Sequence, residues 1–85
     1  MTTLRLRPLA YTVEAWKYDE QQAINWPSWV QQACLWLRID GELALVLDRS
    51  SGRQHIQIGE WLVKMPDDSI VWYRDSELWH EFEVV

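Results

Sequence analysis

From Gly41 onward the sequence is a succession of short apolar runs, each closed by turn-forming residues before a helix could develop. Leu43, Ala44, Leu45, Val46 and Leu47 lie between Asp40-Gly41 and the polar stretch Asp48-Arg49-Ser50-Ser51-Gly52. Ile56 and Ile58 run into Gly59-Glu60, Trp61 to Met65 runs into Pro66-Asp67-Asp68-Ser69, and Ile70 to Arg74 comes next. Short apolar runs bounded by Gly, Pro, Asp and Ser read as strands. Parallel strands need crossovers of about a dozen residues, and these gaps are far shorter, so the strands are expected to be antiparallel. Arg49-Ser50-Ser51-Gly52 predicts a hairpin turn in which Gly52 supplies a positive φ. Residues 75–80 can form a helical turn with Ser76 as N-cap. Residues 82–85 predict a last short strand lying near the first.

The region before Gly41 is patterned differently. Residues 1–9, interrupted by Pro8, predict an extended arm or edge strand. Residues 11–18 alternate β-branched, aromatic and polar side chains and predict a strand. Residues 19–25 are polar and turn-like. Pro27 suits the first turn of a helix. Trp26, Val30, Ala33, Cys34 and Leu37 then fall at helical spacing, flanked by Trp29 and Trp36, so a helix is expected near 27–37, ended by Asp40-Gly41. The whole predicts one α+β domain over residues 1–85. It is a small curled antiparallel sheet, or a partly open barrel, of five to six strands packed by one helix, with antiparallel strands filling 42–85.

With 85 residues the core must be small. Seven tryptophans against one phenylalanine exceed what such a core needs, so some indoles are expected to be half-exposed, and Trp is the residue most enriched in binding hot spots. The net charge is −5, and its distribution is uneven. Residues 1–64 carry seven acids and seven bases, whereas residues 65–85 carry six acids and only Arg74. Phosphate neutralisation needs clustered Lys and Arg, so binding to duplex nucleic acid is not expected. No apolar run approaches the roughly 20 residues of a membrane span. The N-terminus lacks a signal-peptide pattern. A lone cysteine, Cys34, fits a reducing compartment. These features predict a cytoplasmic protein.

Catalytic patterns are wanting. His55 and His80 have no second histidine at ligand spacing, and His80 with Asp75, Glu77 or Glu81 lacks a metal-site motif. Cys34 has no adjacent cation to activate a thiolate. Asp67-Asp68 reads as turn chemistry rather than an acid–base pair. Gly41, Gly52 and Gly59 are isolated, so no phosphate loop is present. No catalytic residue, metal ligand or cofactor is expected.

The stretch GEWLVKMPDDSIVWYRDSELWHEFEVV, beginning at Gly59, resembles the C-terminal half of a family of small phage and prophage proteins. That family carries a Gly-Asp-aromatic-Ile-Val-Lys strand, a Gly-Glu turn, an aromatic strand and a closing Phe followed by an aromatic. Val13-Glu14-Ala15-Trp16 resembles its N-terminal Val-Glu-Ala strand, and Tyr73 and Phe82 match the later aromatic positions. Glu60 stands in place of the usual Asp, Asp68-Ser69 in place of the Gly-Glu turn, and Val84 or Val85 in place of the final aromatic. The resemblance implies a mobile-element source in bacteria and no particular reaction.

On the strand from Ile70, Trp72 and Arg74 alternate with Val71 and Tyr73. A small sheet covered on one face only would expose an aromatic here whichever way the strand turns. Trp72, Tyr73, Arg74, Asp75, Glu77, Trp79 and Glu81 therefore form the candidate partner-binding surface, with indole as anchor and carboxylates as steering charges. The leading expectation is a non-enzymatic protein that binds a host or defence-system protein through this surface. Alternatives are sequestration of a nucleotide, stacked on Trp and held by Arg38, Arg49, Arg53 or Arg74; mimicry of nucleic acid; and a virion or self-assembling part. A homodimer is a further expectation.

Overall fold

The structure is a computed structural model that describes residues 2–6, 11–19, 25–49 and 52–84. In chain order the elements are β1 (Thr2–Leu6), β2 (Tyr11–Lys17), α1 (Ser28–Ala33), β3 (Cys34–Ile39), β4 (Glu42–Arg49), β5 (Gly52–Ile56), β6 (Trp61–Lys64), β7 (Ile70–Tyr73), α2 (Asp75–Glu81) and β8 (Phe82–Val84). The strands form two antiparallel sheets. One has five strands in the order β7-β6-β2-β1-β8, and the other is the meander β3-β4-β5. The expected break at Pro8, most of the 19–25 turn, Ser50-Ser51 and Val85 lie outside the described residues.

The antiparallel α+β expectation holds in outline, with more strand and less helix. Three details change. Residues 2–6 are not an edge arm: β1 pairs with β2 on one side and β8 on the other. The helix expected over 27–37 stops at Ala33. Cys34–Ile39 instead pairs with Glu42–Leu47, from Cys34↔Leu47 to Ile39↔Glu42. Asp40 and Gly41 make the two-residue turn between these strands, with φ of 52° and 82°. Positive φ at both loop positions is what a tight hairpin requires. Lastly, α2 is a second helix, capped at Arg74 rather than Ser76, with no side-chain cap.

The division into two sheets follows from that hairpin. It gives β4 a neighbour on each side, so β3-β4-β5 closes locally. The chain then returns to β2 through Tyr18, whose N–H donates to the Glu60 carbonyl and whose carbonyl accepts from Gly59 N–H. Gly59, at φ 93°, makes that bend.

The five-stranded sheet is covered on both faces. Val13, Ala15, Trp61 and Val63 point to one side and pack with Leu78 of α2 and Phe82. Trp16 and Leu62, the alternate positions, point to the other side and pack with Trp26, Val30, Leu45, Leu47 and Ile56. Two small cores therefore share one sheet, with α2 over the first core and α1 and the three-stranded sheet over the second.

Candidate functional site

A strand covered on one face would expose Trp72 or Tyr73 fully. Both are half-buried, as are all four residues of β7. The one-sided expectation is corrected because the central sheet is sandwiched. Trp72 leans on the second core and Tyr73 on the first, so the structure places these two candidates on opposite faces.

The remaining candidates gather around α2, and Trp61 organises them. Its indole Nε1 donates to Asp75 Oδ1 at 2.9 Å. Its ring meets Trp79 edge-on, with centroids 5.7 Å apart. Lys17 Nζ lies 5.8 Å from the Trp61 ring centroid on the neighbouring strand. One buried tryptophan thus fixes the start of the helix and the indole exposed on it. Trp79 is 38% exposed.

Each carboxylate of the expected steering group has a partner. Glu81 accepts a hydrogen bond from the Tyr73 hydroxyl. Burial, then this hydrogen bond and the charge of Glu81, push the Tyr73 phenol upward, so it stays a donor. Arg74 Nη1 lies 3.6 Å from Glu77 Oε1, while its guanidinium lies 5.0 Å from the Trp72 ring centroid. The Trp61 and Tyr73 donors are neutral. They orient Asp75 and Glu81, and among the described residues Glu77 is the one of the three that faces a cation. The surface remains negative, and its carboxylates are positioned rather than free.

Glu60 is a participant that sequence reading passed over. Its Oε1 accepts from Gln57 N–H at 2.7 Å and from Trp72 Nε1 at 3.1 Å, tying the bend before β6 to β7. Trp61 was legible only as core. The cue for both was the count of tryptophans, since each partly buried indole N–H needs an acceptor.

Of the four arginines considered for nucleotide phosphates, Arg49 lines the larger of two open clefts and three have other partners. Arg53 pairs with Asp48 at 3.2 Å, Arg38 donates to the Gly41 carbonyl, and Arg74 faces Glu77. Two adjoining open clefts of about 410 and 360 Å³ share Ala33, Asp68 and Ile70. Trp29 lines the smaller one, and its Nε1 is buried without a hydrogen-bond partner. Lys64 and Asp68, also at that cleft, pair with each other at 3.7 Å. Among the described residues, no group of three or more His, Cys, Asp or Glu side chains converges as a metal site would. No described helix is long and apolar enough to cross a membrane.

No known protein family, curated protein or solved structure matches the chain. Any functional reading therefore rests on the geometry above.

Proposed function

We propose that the chain is a small non-enzymatic accessory protein of phage or prophage origin. It acts in the bacterial cytoplasm by docking onto a host or defence-system protein through the acidic, tryptophan-bearing surface of α2. One observation carries the reading: Trp79 stands exposed on a helix whose Asp75 and Glu81 carboxylates are oriented by hydrogen bonds from Trp61 Nε1 and the Tyr73 hydroxyl. A rigid indole ringed by oriented carboxylates is suited to a basic, grooved partner surface. The ring fills the groove and the charges speed and orient encounter.

The test is retention from bacterial lysate on immobilised protein. Wild type is expected to hold one stoichiometric protein. Trp79→Ala is expected to weaken that complex by about 2 kcal/mol, roughly thirty-fold in Kd. Glu77→Lys is expected to slow association and flatten its salt dependence. Equal retention of the same protein by both variants would place the docking surface elsewhere.

A further inference from the structure

Four strands lie at sheet edges: β7 and β8 in the larger sheet, β3 and β5 in the smaller. Exposed edges are usually blunted by shortness or charge, because unpaired N–H and C=O groups recruit further strands. β8 has three residues, one of them Glu83, and β7 has four. β5 carries Arg53 and His55. β3 is the exception. It runs for six residues, Cys-Leu-Trp-Leu-Arg-Ile, with a single charge, and among the described residues no strand pairs with its outer side.

The exposure of β3 is also specific. Trp36 is 46% and Ile39 42% exposed. The strand has two faces. Trp36 and Arg38 share the face that looks toward the core, where Trp36 rests against Trp26 with centroids 5.9 Å apart. Half-buried Leu35 and Leu37 share the opposite face with exposed Ile39, beside Val46 and Ala44 of β4, which are themselves buried.

We propose that β3 is the seam of a homodimer, in which a second copy adds its own β3 antiparallel across a two-fold axis and the two three-stranded sheets become one of six. The strand is self-complementary in that arrangement. A two-fold axis perpendicular to the sheet keeps each face on its own side, so opposed residues must have the same parity. Centring the axis on Leu37 sets Leu37 against Leu37 of the second copy. It sets Leu35 against Ile39 and Trp36 against Arg38 of the second copy. The leucine and isoleucine side chains of the two copies become contiguous on one face, and on the other a guanidinium meets an exposed indole. Centring on Trp36 instead leaves Ile39 without a partner. Pairing β3 with β5 of another copy would be heterologous and would build rings or filaments rather than a two-fold dimer. The seam lies on the smaller sheet, away from α2, so it stands or falls independently of the docking reading.

Size exclusion with light scattering tests the seam. Wild type is expected at twice the chain mass; a monomer persisting up to about 1 mM, or open-ended larger species, would overturn the proposal. Leu37→Lys and Leu37→Glu, each alone, set like charges opposite each other and are expected to be monomeric with the wild-type circular dichroism spectrum. Mixed in equal amounts they are expected to restore the dimer. Dimers from either variant alone, or no dimer on mixing, would refute the seam and its register. Should the Leu37 variants lose their fold, Ile39→Lys replaces them, since that side chain is already exposed in the single chain; a dimer in that variant would equally refute the proposal.

Discussion

Trp61 shows how one side chain can belong to a core and to a surface at once. Its ring is buried with Val13 and Phe82, yet its N–H reaches Asp75 and its edge supports Trp79. Trp61→Phe keeps most of the apolar area and removes the donor. Losing a hydrogen bond to a charged acceptor is expected to lower stability by about 1–2 kcal/mol, read as a shift in the urea midpoint. Cys34 makes a second prediction at this scale. Burial pushes its thiol up to about 11 from 9.0. The unfolded chain then loses the thiol proton before the folded one does, so the stabilisation is complete below pH 9 and is lost as pH rises toward 11. Cys34→Ala is expected to flatten that part of the pH–stability curve. In the native protein the thiol is expected to react slowly with thiol reagents at pH 8, and quickly once unfolded.

At the scale of elements, the β3–β4 hairpin depends on Gly41. Open space surrounds the position where a Cβ would sit, so Gly41→Ala tests backbone conformation alone. A left-handed alanine is expected to cost about 1 kcal/mol, measured by thermal or urea unfolding. The same hairpin explains where sequence reading failed and where it succeeded. Trp26, Val30, Ala33 and Cys34 lie together at the second core, but Leu37, the last member of the expected helical stripe, falls on the opposite face of β3. Leu35, Leu37 and Ile39 also satisfy a strand's period of two, and over six residues the two periods are indistinguishable. Pairing with Glu42–Leu47 decided the matter, and no local signal announces a partner strand. Asp40-Gly41 was the available cue, since that dipeptide turns hairpins as readily as it ends helices. The runs at 42–48, 61–65 and 70–74 match β4, β6 and β7 to within a residue, but the return strand expected over His55 to Ile58 is Gly52–Ile56, and Ile58 lies beyond it, exposed. For the candidate site, residues 74–81 were legible as a cluster because they are adjacent in sequence. The support from Trp61 and Glu60, 14 and 12 positions from their partners, was not.

For the whole molecule, two cores on one sheet imply one unfolding transition. β2 and β6 contribute alternate residues to both cores, so neither core can dissolve while the other keeps its wall. Val30→Ala in the second core and Leu78→Ala in the first remove fully buried side chains. The costs are expected to be about 1–2 and 2–5 kcal/mol, large fractions of the stability of a small domain. Each variant is expected to shift a single urea transition that superimposes whether followed by tryptophan fluorescence or by circular dichroism. Two separated transitions in the Leu78 variant would show the cores to be independent. The single sheet expected from sequence missed this arrangement because a strand buried on both faces loses its alternation. Trp61, Leu62 and Val63 are all buried in succession and say nothing about which side each faces.

The pairing of β1 with β8 also sets a clock. Leu4 lies opposite Val84, so the five-stranded sheet joins strands far apart in sequence. Sequence-distant closures of this kind are slow, with refolding expected in milliseconds to seconds rather than microseconds. On the ribosome, β1 must wait for all the intervening strands and then β8 to emerge before its outer side is filled. During that interval the newborn protein carries an open edge that the finished one conceals.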